Sequence, residues 1–244
     1  MTVNSIDRQH SSSYKYNHAD YALRRRVCRI LLRAIGFTLL AKVDRVDGLE
    51  NFPQQGPAIL MINHIALIDP IVVMHVSPRN IVPLAKIEVY SYPVIGIFPR
   101  IWGVIPVRRE EFDRRAVQQV LEVLNAGEIV LVAPEGTRSP QMTQGKEGVA
   151  YLASRSGAPV IPVAINGTIG FPAFRLSERW KGPGAHVTFG KPFYFHSEAK
   201  HPGKEELRKM TDEAMYILAG MLPEYRRGYY ADQAKATRDT ILPA

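Results

Sequence analysis

Three short stretches of this chain carry residue types that can do chemistry. The first runs from Asn63 to Asp69 and follows Ala58-Ile59-Leu60-Met61-Ile62, an apolar run that reads as a buried strand. A histidine leaving a strand end with a carboxylate five residues on is a candidate general base with its orienting partner. The imidazole titrates near neutral pH, so His64 could take a proton from a hydroxyl and return it to a leaving group. Asp69 would fix the tautomer and stabilise the imidazolium that forms. Same-face helical neighbours are three or four residues apart, so the pair fits best with His64 on a loop and Asp69 opening the next element. Asp69 followed by Pro70 also fits an ordinary helix start, with Asp as N-cap.

The second stretch, Ala133-Pro134-Glu135-Gly136-Thr137-Arg138-Ser139, follows the apolar run Ile129-Val130-Leu131-Val132. Gly136 permits a sharp turn or close approach to a ligand. Thr137 and Ser139 offer hydroxyls, and the Arg138 fork suits phosphate or carboxylate. A polar turn with a surface Arg–Glu pair has the same composition. In the third, Gly103 to Arg109, two adjacent arginines end an apolar run. They suit an anionic substrate, or equally the solvated start of the helix that follows. No G-x-S-x-G elbow, phosphate-binding P-loop or H-E-x-x-H zinc pair occurs. The other histidines lack metal-ligand spacing, His75 reads as packed on an apolar helix, and no cofactor is implied.

These stretches sit in a chain of 244 residues, 46% apolar, enough for one sizeable core. The single cysteine, Cys28, excludes an internal disulfide framework and fits a reducing compartment. Of the net charge of +8, a surplus of six lies in residues 1–46, which hold nine Lys or Arg against three Asp. A basic end on a neutral body suggests a contact with lipid or nucleic acid. Residues 1–19 are polar. From Asp20 to about Lys42 the spacing predicts a helix with Leu23, Val27, Ile30, Leu31, Ala34, Phe37 and Ala41 on one side and Arg25, Arg29 and Arg33 on the other. That pattern suits a helix lying in a bilayer interface, with arginines on anionic headgroups, or an amphipathic helix packed on its own domain. Few aromatics accompany the arginines, so nucleic acid is not expected. There is no cleavable signal and no 18-residue uncharged apolar run.

Beyond Gly56-Pro57 the chain alternates strands (58–62, 81–85, 104–107, 128–133, 159–165, 185–189) with helices (70–76, 112–125, 146–156, 204–221). The expected fold is α/β, with a largely parallel or mixed central sheet flanked by helices and an N-terminal amphipathic helical element. The expected organisation is a tail and membrane-associating helix at 1–46, a main domain at 47–222 and a C-terminal tail at 223–244.

Taken together, the blocks resemble the glycerolipid acyltransferase superfamily, best known for the 1-acylglycerol-3-phosphate O-acyltransferases. Asn63, His64 and Asp69 match its N-H-x4-D pattern, and Gly103 to Arg109 its Gly-to-Arg block. Pro134 to Ser139 match its P-E-G-T-R-S, with Ala133 where the family usually has Phe. Val160-Ile161-Pro162-Val163 matches a fourth block, and Lys86-Ile87-Glu88 a Lys-x-Glu stretch. The resemblance spans about residues 47–195 and implies acyl transfer from a thioester of coenzyme A or acyl carrier protein to a lipid hydroxyl. In that mechanism His64 is the base, Asp69 its partner, and attack is direct. Arg109 and Arg138 grip an anionic headgroup, while Glu135, Gly136, Thr137 and Lys86 help to form the substrate site. The acceptor is lysophosphatidic-acid-like; glycerol 3-phosphate, a glycolipid sugar or an amino-acid lipid are alternatives, as is a non-catalytic membrane-surface protein. The resemblance further implies peripheral attachment at the cytoplasmic face of a membrane.

Overall fold

An uninterrupted apolar run needs cover on both faces, and strand β2 (Ala58–Ile62) has it: all five residues are buried. The architecture comes from a computed structural model, which describes residues 17–36, 41–93, 95–108, 112–199 and 201–244. The remaining strands are β1 (Val43–Asp47), β3 (Ile81–Lys86), β4 (Ile105–Val107), β5 (Ile129–Val132), β6 (Val160–Asn166), β7 (Ala185–Phe189), β8 (Phe193–Phe195) and β9 (Ile241–Pro243). They form one sheet in the order β1-β7-β6-β2-β5-β3-β4, with β8 pairing β6 and β9. Strands β6, β2, β5, β3 and β4 are mutually parallel, and β7 runs antiparallel to β6. The mixed, mostly parallel sheet agrees with the sequence expectation.

Among the described residues the α-helices are α1 (Ala22–Leu31), α2 (Asp69–Val76), α3 (Ile97–Trp102), α4 (Arg114–Asn125), α5 (Gly148–Ser156), α6 (Glu178–Lys181) and α7 (Lys204–Gly220), with short 3-10 turns between elements. The pleat divides the core. Ile59, Met61, Val130 and Val132 face α4, α5 and α7, whereas Leu60, Ile62, Ile129 and Leu131 face α2 and α3. Two apolar layers therefore cover the sheet on both faces.

Helix α1 forms, but its polarity is the reverse of an arginine face turned to headgroups. Arg25 is fully buried, donating to the carbonyls of Trp102 (2.7 Å) and Gly103 (3.1 Å). Arg29 reaches Pro78 O at 2.6 Å and Arg33 reaches Ser77 O at 2.7 Å, both just past the end of α2. The three arginines satisfy backbone carbonyls of their own domain, two of them at a helix C-terminus. Leu23 (74% exposed), Val27, Ile30 (59%) and Leu31 turn outward instead. Among the described residues no helix is long and apolar enough to cross a membrane.

Two boundaries differ from the sequence reading. Strand β1 begins at Val43, so a division after residue 46 would cut it. Residues 223–244, read as a tail, are folded onto the domain. Tyr230 is fully buried, and β9 adds to β8. The buried Glu213 carboxylate accepts from Thr237 Oγ1 (2.6 Å), Asp239 N (3.0 Å), Thr240 N (2.9 Å) and Thr240 Oγ1 (2.6 Å). Burial alone would raise that carboxyl's pKa, but the four donors outweigh it and hold it below the usual range.

Candidate active site

Parallel strands end on one edge, and ligands of α/β sheets bind there. The carboxyl ends of the adjacent strands β6, β2 and β5 carry Thr168, His64 and the 133–139 loop; β3 and β4 lead to Lys86 and Arg108. Blocks scattered over a hundred residues of sequence thus meet at one edge.

Asp69 is the first residue of α2 and is fully buried. Its Oδ2 accepts the N–H groups of Ile65 and Ala66, each at 2.7 Å, and lies 3.0 Å from His64 Nδ1. Its Oδ1 accepts the Thr168 hydroxyl at 2.5 Å. The carboxylate therefore turns back over its own loop to His64 and does not cap the helix: α2 opens at Asp69, but its N-cap position is Ile68 and no side chain caps it, which corrects the reading of Asp69 as N-cap. The His64 side chain is only 13% exposed. With Nδ1 committed to Asp69 as donor, Nε2 carries the lone pair that can meet a hydroxyl.

The loop after β5 fixes His64 rather than only framing a ligand. His64 N–H donates to Glu135 Oε1 at 3.2 Å, and Ser139 N–H donates to His64 O at 2.9 Å. The other oxygen of Glu135 accepts Thr143 N at 2.7 Å. Burial raises the Glu135 carboxyl above the usual range, partly offset by those N–H donors. Glu135, which the resemblance places in the substrate site, points its carboxylate at backbone and braces His64. Gly136 sits at φ 67°, where a side chain would be strained, and closes a turn onto Ala133 O at 3.0 Å. Thr137 and Arg138 are exposed at that edge. Asn63 bridges β2 to β6, donating to Ile165 O at 2.9 Å and accepting Ile165 N at 2.7 Å.

Lys86 pairs with Glu88 at 2.9 Å on the surface. Arg108 N–H donates to Asp113 Oδ2 at 2.9 Å, and Asp113 also caps α4 through Ala116 N. Arg109 lies outside the described residues. Beside the 133–139 loop an apolar groove of about 460 Å³ runs between α4 and α5, lined by Ala133, Gly136, Val117, Val120, Val149 and Leu152, among others. Among the described residues no group of three or more His, Cys, Asp or Glu could hold a metal ion. Thr168, 99 residues from its partner, had no sequence signal; neither did the arginine-to-carbonyl clamps of α1.

Residues 44–166 match the family described as Acyltransferase. The chain is similar to 1-acyl-sn-glycerol-3-phosphate acyltransferases of Borreliella burgdorferi (32% identical, 52% of each chain) and Bacillus subtilis (28% identical, 69% of this chain and 82% of that one). It is also similar to the human alpha enzyme of that name, at 30% identity over 58% of this chain and 51% of the other. The aligned region thus spans about half the length of the first and third of these relatives. A crystal structure titled 1-acyl-sn-glycerophosphate (LPA) acyltransferase, PlsC, from Thermotoga maritima superposes with a TM-score of 0.54 at 25% identity, over 83% of this chain and 77% of the other. On the match of half its length, and with the fold in agreement, this chain belongs to the Acyltransferase family.

Proposed function

We propose that the protein is an O-acyltransferase that moves a fatty acyl group from a thioester to the free hydroxyl of a 1-acylglycerol 3-phosphate. The observation that carries this is the His64–Asp69 pair, 3.0 Å apart at the sheet edge, beside an apolar groove. His64 Nε2 removes the acceptor's hydroxyl proton while Asp69 holds the ring and stabilises its charge. The alkoxide attacks the thioester carbon, the C–S bond breaks, and the imidazolium returns its proton to the departing thiolate. Attack is direct: the Ser139 hydroxyl accepts Gln141 N at 3.4 Å, and Cys28 lies on α1 with its thiol pKa raised by burial. Arg138, with Arg109, meets the headgroup phosphate.

The groove between α4 and α5 takes the acyl chain, since its lining is mainly apolar and it opens beside Gly136. Filling it with Val117→Phe shifts preference toward shorter thioesters, read by kcat/KM across chain lengths. The acceptor and donor are tested by thiol release and product analysis over a panel of acceptors, with coenzyme A and acyl carrier protein thioesters. Fastest turnover with 1-acylglycerol 3-phosphate supports the assignment. A higher kcat/KM for glycerol 3-phosphate, a sugar or an amino-acid lipid replaces it.

The lipid acceptor calls for contact with a bilayer, here assigned to its cytoplasmic face. The outward face of α1 supports the attachment: Leu23, Val27, Ile30 and Leu31 are exposed beside α3, whose Ile97 and Ile101 are exposed too. The triple change Leu23→Ser, Val27→Ser and Ile30→Ser is expected to cut vesicle co-sedimentation at least about tenfold, on the order of 0.8 kcal/mol per buried methylene, while leaving the melting temperature close to that of the parent. Unchanged sedimentation would refute this attachment.

A further inference from the structure

We propose that Thr168 is a positioning residue for the base, acting through Asp69; the inference rests on His64 being that base. One carboxylate oxygen, Oδ2, already serves Ile65 N, Ala66 N and His64 Nδ1. The other, Oδ1, accepts the Thr168 hydroxyl at 2.5 Å, and both residues are fully buried. A carboxylate hinged at Cβ can swing about its side-chain torsion. Anchoring Oδ1 stops the swing and keeps Oδ2 in line with Nδ1, and a buried oxygen robbed of its donor would be unsatisfied.

The turn that presents this hydroxyl is itself held from several sides. Gly167 has φ 78°, and a Cβ there would lie 2.2 Å from Gly184 O, so the chain passes only as glycine. Arg179 donates to Ile169 O and Pro183 O, each at 2.7 Å, and to Gly167 O, and its guanidinium lies 3.8 Å from the Phe171 ring centroid. Asn63 pins Ile165 three residues upstream of Thr168. The strand after which Thr168 falls is thus fixed to the strand that leads into His64. Helix α2, β2 and the 167–171 turn form one frame around the carboxylate.

The test is a double-mutant cycle on the full chain, with thiol release at saturating thioester and acceptor. Thr168→Val, which keeps the shape and removes the hydroxyl, is expected to lower kcat roughly 5- to 100-fold with both KM values within about twofold. Thr168→Ser restores the hydroxyl and is expected to stay within about threefold of the parent. In an Asp69→Asn background, Thr168→Val is expected to cost less than about a further twofold, because its route of action is already cut. Thr168→Ala is the second removal, for use if the valine variant melts well below the parent. A parental kcat in the removal variant, equal losses in valine and serine variants, or the same loss in both backgrounds would each overturn the inference. His64→Ala separates the two readings. If it is inactive while Thr168→Val is unslowed, only the positioning role falls; if it turns over normally, the base assignment falls and takes this role with it.

Discussion

Replacing His64 with alanine will lower kcat/KM for acyl transfer by about 10²- to 10⁴-fold, the span expected when a general base is removed. The loss will come without loss of fold, because the loop is held through the backbone of residue 64: its N–H meets Glu135 and its carbonyl meets Ser139. An alanine keeps both. Asp69→Asn will also be slow, by roughly 10²-fold or more, since it removes the charge that stabilises the imidazolium. It will further disturb a fully buried group with four donors. Thiol release beside a thermal melt checks both. A His64→Ala protein with near-parental rates would remove the base from the mechanism.

Ending the chain after Leu222 will destroy the folded domain rather than trim a tail. The lost segment supplies Tyr230, which is fully buried, accepts Gly145 N at 3.1 Å and donates to Asp212 Oδ1 at 2.8 Å. It also supplies every donor described above for the buried Glu213 carboxylate, and the strand that covers β8. Leaving a buried carboxylate unpartnered is among the costliest single events in a fold. The same segment braces the site loop: Arg226 donates to Pro140 O at 2.7 Å and to Asn166 Oδ1 at 3.1 Å, and Met142 N donates to Arg226 O at 2.8 Å. The truncated protein will therefore be recovered mainly unfolded or aggregated. Tyr230→Phe, a smaller injury, will cost about 1–3 kcal/mol, a fall in Tm of about 2–4 °C for each kcal/mol. A truncated protein that melts like the parent would make 223–244 a dispensable tail after all.

What could be read in the sequence was whatever depends on short spacing. Ala58–Ile62 announced a buried strand because no polar residue interrupts it, and Ala116, Val120, Leu121 and Leu124 announced a helix face, of which Leu121 stays half-buried while Val123 takes its place in the core. The edge where the blocks gather followed from β–α alternation alone. Partners distant in sequence stayed hidden. The stripe Arg25, Arg29, Arg33 shows that an arginine face exists, but its targets are carbonyls at 77, 78, 102 and 103, so spacing could not tell lipid from protein. The resemblance put Glu135 in the substrate site, while its own spacing showed only a turn; the fold shows its oxygens spent on His64 N and Thr143 N. Residues 223–244, with Arg226-Arg227 and Tyr229-Tyr230, read as a plain tail or a second membrane contact, because nothing in their own spacing points to a distant partner. The buried Glu213 that they satisfy lies on α7.

The central claim, direct transfer from thioester to lipid hydroxyl by His64, is tested by following labelled acyl groups in a single-turnover mixture with enzyme in excess. Without acceptor, the parent protein is predicted to release no thiol and hold no label. With 1-acylglycerol 3-phosphate, thiol and diacyl product are predicted to appear one for one, and His64→Ala to yield neither on that timescale. A thiol burst without acceptor, with label bound covalently to the protein, would contradict the account.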